Sequence, residues 1–352
     1  GQSGIATSSG YSFDDGATWQ DSNQKSFSTN QTVSIQVKDA VGNISSTTFS
    51  ITNIVTDGPE IVFTPNGDTT PKKTQSTTVT LQATAPATIT ISEYQWTQSV
   101  TFPSNGTWTS FTSGETISLS TGDGNWYLHV RATDSAGNNS TATSAAFVLD
   151  NTAPVTSATL APTSPDGDND WYVSNVTVTL AATDGGSGVD TTEYNLDGST
   201  TWLTYPTEGI LITTDGNHTV YYRSTDTAGN IETTKTVSFK IDTTNPTITE
   251  VTGNPTSWTK EDVILTVTAS DSGSGLAAEA YSFDNGATWQ VSNQKTFTSN
   301  QTVNIKVKDA AGNVSEVENV SITFIDKINP TIDSVTADPT ALTNGNVTLT
   351  VT

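Results

Sequence analysis

The chain is 352 residues long, only 33% of it is hydrophobic, and 70 residues are Thr. Thr is β-branched and sits well on a half-exposed pleated surface, so this composition points to strands with one wet face and away from long helices. The 13 Lys and Arg against 36 Asp and Glu leave a net charge of −23, which repels phosphate backbones and anionic lipid heads and excludes nucleic acid and membrane surfaces as expected partners. With no Cys there are no disulfides, thiolate metal sites or Cys nucleophiles. No apolar run approaches the length of a membrane span, and Gly1 is not followed by a basic-then-apolar segment, so a processed or excerpted, exported chain is expected.

Self-comparison organises everything else. The segment from Tyr11, YSFDDGATWQDSNQKSFSTNQTVSIQVKDAVGN, returns at Tyr281 with 25 of 33 positions identical. A D-x-x-G-N turn recurs at Asp39, Asp134, Asp226 and Asp309, with spacings of 95, 92 and 83 residues. A Pro that closes a short polar linker recurs at Pro59, Pro154, Pro246 and Pro330, spaced 95, 92 and 84. Two independent markers with one period signal an array of similar modules.

Taken in chain order, residues 1–55 match a unit from its third strand onward, and residues 56–150, 151–242 and 243–327 are three full units. Residues 328–352 match the first two strands of another. The third unit is the clearest. Its runs VTSATLA, NVTVTLAAT, TTEYNLD, TWLTY, GILITT, HTVYYRST and TTKTVSFKI are short, alternating and bounded by Gly, Pro, Asn and Asp. Seven such strands in about 90 residues are the count and size of an immunoglobulin-like sandwich. The expected fold class is therefore all-β, tandem immunoglobulin-like β-sandwich domains, and linkers of a few residues ending in Pro favour an extended rod. The incomplete ends have two readings. Either the chain is a window on a longer array, or residues 330–352 of one copy complete residues 1–55 of the next, giving a head-to-tail filament by strand addition.

The stretch PDGDNDWYVSNVTVTLAATDGGSGVDTTEYNLDGSTTWLTYPTEGILITTDGNHTVYYRSTDTAGNIE, residues 165–232, closely resembles bacterial immunoglobulin-like repeat domains. The units carrying YSFDNGATW and the N-P linkers resemble the same broad class. That resemblance implies a bacterial surface or secreted protein in which the repeats space, stiffen and sometimes adhere, and it implies no catalysis. The expected role is a non-catalytic extracellular stalk or filament for cell-surface attachment. The alternative is a carbohydrate-binding accessory module of a secreted glycosidase.

Chemistry is concentrated in carboxylates, 25 of the 36 being Asp. Each D-x-x-G-N is explained by a structural turn, with Gly at a positive φ and Asp accepting backbone N–H bonds. The functional reading is Ca²⁺, which takes hard oxygen ligands. In a seven-strand sandwich the second-to-third and sixth-to-seventh strand loops share the end where the chain enters. Asp150, Asp184 and Asp226 are then expected to meet at the entry to the third unit, and Asp242, Asp271 and Asp309 at the entry to the fourth. The second unit has ATAPAT in place of the Asp-rich loop, leaving Asp57 and Asp134. SPDGDND, with Asp166, Asp168 and Asp170, lacks the distal Glu and the helices of an EF-hand and is rejected as one.

Trp19, Trp108, Trp202 and Trp289 occupy equivalent places, as do Trp171 and Trp258, which favours packing over sugar stacking. Trp96 and Trp126 belong to the second unit alone, where with Tyr94, Trp108 and His129 they form the candidate carbohydrate surface. His129 and His218 join no Ser or Asp arrangement of triad type, and no P-loop, dinucleotide fingerprint or nucleophile elbow is present. Sequons at Asn30, Asn105, Asn175, Asn217, Asn300 and Asn346 follow from the abundance of Ser and Thr.

Overall fold

The computed structural model describes residues 3–338 and 340–352, and all its regular elements are strands. None of its elements is a helix long and apolar enough to cross a membrane. The chain divides into two compact units, one formed by residues 1–154, 184–190 and 225–231, the other by 155–183, 191–224 and 232–352.

In the first unit, Tyr11–Ser12, Gln31–Lys38 and Ile44–Ile51 form a three-stranded sheet. Its last strand is exposed along nearly its whole length, with Phe49 63% and Ile44 56% accessible. The strands from Glu60 to Leu149 form a sandwich. One sheet is Glu60–Thr64, Gln75–Gln82 and Glu115–Leu119. The other runs Asp68–Lys72, Phe147–Leu149, Gly124–Asp134, Ile89–Thr97 and Thr109–Ser110, with Asn139–Thr143 also pairing on the long central strand. Val79, Leu81, Ile117, Leu128, Val130 and Ala132 fill the space between. The alternation that puts them inward is visible in Gln75–Gln82, where every second residue is buried.

Within residues 151–242, Val155–Ala161, Val176–Thr183 and Ile210–Ile212 make one sheet. Trp171–Tyr172, Lys235–Ile241, Gly216–Asp226, Val189–Leu196 and Leu203–Thr204 make its partner. The first strand is thus split. Val155–Ala161 pairs antiparallel with Val176–Thr183, and Trp171–Tyr172, reached through the SPDGDND loop, pairs parallel with the last strand. The seven runs read from the sequence omit this crossing piece, because two residues show no periodicity.

The following sandwich has sheets Thr247–Thr252, Val263–Ser270, Gln294–Phe297 and Leu276–Ser282, Gln301–Asp309, Glu318–Ile322. Val263, Leu265 and Val267 are inward and nearly inaccessible while Ile264 is 51% exposed. Each inward aliphatic of this kind is worth roughly 1.5–3 kcal/mol of burial. Val335–Asp338 and Thr348–Val351 form a separate hairpin.

Candidate metal centres

Each D-x-x-G-N turn is built alike. The Asp Oδ1 accepts the N–H of the final Asn, the Asn Nδ2 donates to the other Asp oxygen, and the Gly lies at positive φ: 97° at Gly42, 89° at Gly137, 87° at Gly229 and 100° at Gly312. The turn reading of the motif therefore accounts for the motif's Asp, Gly and Asn.

The same Asn has a second task. Its Nδ2 reaches the linker carbonyl four residues before the marker Pro: Asn138 to Val55 O at 3.0 Å, Asn230 to Asp150 O at 3.0 Å, and Asn313 to Asp242 O at 2.9 Å. Where the linker residue at that register is Asp, its carboxylate points to the Asp of the turn and to the Asp of the second-to-third strand loop. One carboxylate oxygen from each of Asp150, Asp184 and Asp226 lies within 4.8 Å of the others, and the same holds for Asp242, Asp271 and Asp309. The six residues singled out from the sequence are thus brought together in two sets of three.

The two sets share their hydrogen bonding. Asp150 Oδ1 accepts Thr152 N at 3.1 Å and Oδ2 accepts Ser187 N at 2.6 Å; Asp242 accepts Thr244 N at 3.1 Å and Ser274 N at 2.7 Å. Asp184 Oδ2 takes the N–H groups of Gly186 and Gly188, at 3.0 and 2.7 Å, and Asp271 Oδ2 those of Gly273 and Gly275 at the same distances. In each set the remaining oxygen, Oδ1 of Asp184 or of Asp271, is buried and has no hydrogen-bond partner. Asp150, Asp226, Asp242 and Asp309 are 0–2% exposed. Burial pushes the Asp309 carboxyl above its ordinary value against the hydrogen bonds from Asn313, and the neighbouring Asp242 adds to the rise. Burial also works against the Asp150 carboxylate, but the hydrogen bonds from Ser187 and Thr152 outweigh it and hold the group below its usual range. Three acceptor-only groups packed around an unpaired oxygen form a hard, oxygen-lined set suited to a divalent cation such as Ca²⁺.

The linker into residues 56–150 differs. Val55 stands where Asp150 and Asp242 stand, Asp57 lies two residues later and is exposed, and Asp134 belongs to no group of three among the described residues. Sequence reasoning missed two further residues, Asp123 and Asp215. Asp123 accepts Asn151 N at 2.6 Å and Thr152 Oγ1 at 2.5 Å; Asp215 accepts Thr243 N at 2.8 Å and Thr244 Oγ1 at 2.5 Å. Both sit in a repeated D-G-N that opens the sixth strand, which is the signal that was available.

The recurrent Trp residues are covered by cations from the sixth strand: Lys38 on Trp19 at 4.3 Å, Arg131 on Trp108 at 4.4 Å, Arg223 on Trp202 at 4.1 Å and Lys308 on Trp289 at 5.1 Å. These are packing positions. Trp171 is likewise covered by Lys240 at 5.0 Å, but its counterpart Trp258 is 67% exposed, with Phe324 at its edge. The set considered for carbohydrate is also largely internal. His129 is fully buried between Thr97, Ser99 and Thr143, Trp96 packs edge-on against Phe147, and Tyr94 against Phe111. His218 is buried too, its Nδ1 3.1 Å from Asp197.

Among solved structures, the chain is similar to fibronectin(III)-like modules of Clostridium thermocellum CbhA, at 14% identity over 52% of this chain and 94% of that one, with a TM-score of 0.25. It is similar to a structure from a 1.5-MDa bacterial ice-binding adhesin, at 17% identity over 72% and 90%, TM-score 0.32. It is also similar to the Bacteroides ovatus SGBP-B in complex with a mixed-linkage heptasaccharide, at 15% identity over 76% and 71%, TM-score 0.20. No curated protein matches the chain. Residues 71–151 and 168–243 match the bacterial Ig-like domain family, and these two stretches of the chain are bacterial Ig-like domains.

Proposed function

We propose that the chain is a non-catalytic segment of an extracellular bacterial stalk or filament serving surface attachment, in which Ca²⁺ locks the linkers that enter the third and fourth sandwiches. The observation that carries this reading is the buried, unpaired Oδ1 of Asp184 and of Asp271, each inside a set of three carboxylates and each in the same place of its repeat. A buried acceptor without a donor is costly, and three carboxylates held together repel one another. A divalent ion removes both costs at once. It also fixes three segments distant in sequence, the linker and two loops, so that tension or bending at the linker meets a closed coordination shell.

Calorimetric titration of the metal-free chain with Ca²⁺ tests this. Two ions per chain are expected, with dissociation constants of about 10⁻⁴–10⁻³ M, the range of extracellular modules. Asp184→Asn and Asp271→Asn should each remove one ion. No heat of binding at millimolar Ca²⁺ and no change in melting on chelation would leave only the turn role.

A further inference from the structure

The two candidate centres are twins in their ligands but not in their surroundings. The turn Asp226–Asn230 is open on its outer side: a β-carbon on Gly229 would meet nothing within 4 Å. The turn Asp309–Asn313 is covered. There the SPDGDND loop of the preceding sandwich lies against it, donating Asp168 N to Ala311 O at 2.7 Å and Asn169 Nδ2 to Ala310 O at 2.8 Å. The Asp168 carboxylate stands 3.2 Å from where a β-carbon on Gly312 would be, and a β-carbon on Gly167 would sit 2.5 Å from Ala311 O.

The loop is shaped for this contact. Asn169 and Asp170 both hold left-handed backbone, at φ 52° and 62°, a conformation that Asn and Asp tolerate and most residues do not. Two residues in succession there are maintained by what surrounds them. Asp166 takes Val173 N at 2.8 Å and Ser174 Oγ at 2.6 Å, Trp171 N returns to Asp168 O at 3.0 Å, and Lys240 Nζ donates to Asn169 O at 2.8 Å. Among the described residues, no hydrogen bond joins the equivalent loop of the preceding repeat, 65–72, to the 226–230 turn.

We propose that loop 166–171 is a clasp closed on the 309–313 turn, and that it sets the cation affinity of Asp242, Asp271 and Asp309 above that of the unclasped Asp150, Asp184 and Asp226. The inference rests on the metal reading above and assigns its regulation. The clasp fixes the backbone at Ala310 and Ala311, next to the Asp309 that supplies a ligand and the Asn313 that holds the linker carbonyl. A turn already ordered by the clasp costs the ion less to order, and an ion on Asp309 orders the turn for the clasp. Such coupling is reciprocal by thermodynamic linkage.

The experiment combines Ca²⁺ calorimetry with amide hydrogen exchange on the full chain, using Gly167→Ala, which places a methyl against Ala311 O, and Asn169→Gly, which removes the amide bond but keeps the left-handed backbone. Either variant should speed exchange of the Asp168 amide in the metal-free chain. Each should also weaken the tighter of the two Ca²⁺ sites by about fivefold or more, the usual lower range of such coupling, and leave the other within twofold. Reciprocally, Ca²⁺ should slow exchange at Asp168 in the parent chain and fail to do so in Asp271→Asn. Faster exchange at Asp168 with both affinities unchanged would overturn the coupling while leaving two metal sites standing. Absence of any Ca²⁺ uptake by the parent chain would overturn the metal reading and the coupling together. Unchanged exchange at Asp168 in both variants would overturn the clasp itself, whatever the calorimetry gives.

Discussion

Gly186 faces the Asp150 carboxylate so closely that a β-carbon on it would lie 2.5 Å from the carboxyl carbon and from one oxygen. Gly273 stands in the same relation to Asp242, and neither Gly needs its freedom for a positive φ. Space, not backbone conformation, requires glycine there.

Gly186→Ala should therefore push the Asp150 carboxylate away from Asp184 and Asp226 without disturbing the strands. The expected outcome is loss of one Ca²⁺ per chain in calorimetry, with the far-ultraviolet dichroism unchanged and the Asp242 set unaffected. Uptake of two ions at parental affinity would show that Asp150 is no ligand.

The alternation in Val263–Ser270 gives a paired prediction on stability. Leu265 is inaccessible and its neighbour Ile264 is 51% exposed. Leu265→Ala should cost about 2–5 kcal/mol in denaturant unfolding of its sandwich, and Ile264→Ala within about 0.5–1 kcal/mol. Equal costs would mean that the two faces of this strand are not distinguished by the core.

Acid should act at specific carboxylates. Hydrogen bonds from the Thr18 side chain and amide, then from Ser12, bring Asp14 down to about 2, and those from Thr288 and Ser282 do the same for Asp284. Because the folded value is below the ordinary 3.8, these groups contribute stability that is present above about pH 4 and lost as pH falls through about 2. Carbon-13 titration should show both carboxyls ionising near 2 and a rise toward the ordinary value for Asp284 in Thr288→Val. A parental value above 3.5 for either would refute the assignment.

His129 gives a dependence nearer neutrality. Burial lowers its imidazole below the ordinary 6.5, against the raising effect of the Ser99 carbonyl. Stability from this group is therefore full above the ordinary value and is lost as pH falls from there through the lowered one. The melting temperature of the second sandwich should fall between pH 7.5 and pH 5, and His129→Gln should flatten that slope. A slope unchanged in the variant would assign it elsewhere.

The C-terminal hairpin exposes Val347, Leu349 and Val351 at 50, 65 and 59%, on the face that Val263, Leu265 and Val267 bury in the complete sandwich. If strand addition between copies covers it, light scattering of the parent chain should show end-to-end polymers that disappear on deletion of residues 330–352. Unchanged association after that deletion would refute self-completion.

Much of this was legible because its causes are local or repeated. The D-x-x-G-N turns read correctly since Asp, Gly and Asn each meet a requirement within five residues, and the duplicated Tyr11 and Tyr281 segments fixed the register of the whole array. The gathering of six Asp into two sets of three was legible through topology, which sends two loops and the entering linker to one end of a sandwich. Asp123 and Asp215 were not, because the linker groups that donate to their carboxylates lie 28 or 29 residues away and nothing in D-G-N signals a linker. The pairing of Trp171–Tyr172 with the last strand was hidden for the same reason: two residues carry no period, and their parallel partner is about 70 residues distant. Nor did the sequence separate Val55 from Asp57 until the asparagine bond showed which residue shares the register of Asp150 and Asp242.

The asparagine amide on the linker carbonyl recurs at Val55, Asp150 and Asp242 irrespective of the acidic side chains. When the chain is pulled from its ends, force enters each of these sandwiches at that carbonyl, so the Asn138, Asn230 and Asn313 amides take load ahead of the strands. This tether needs no metal ion, since an amide and a carbonyl are enough to make it. Under load each of these linkers would then yield in steps, the amide tether before the folded core, and length would be released gradually instead of at one joint.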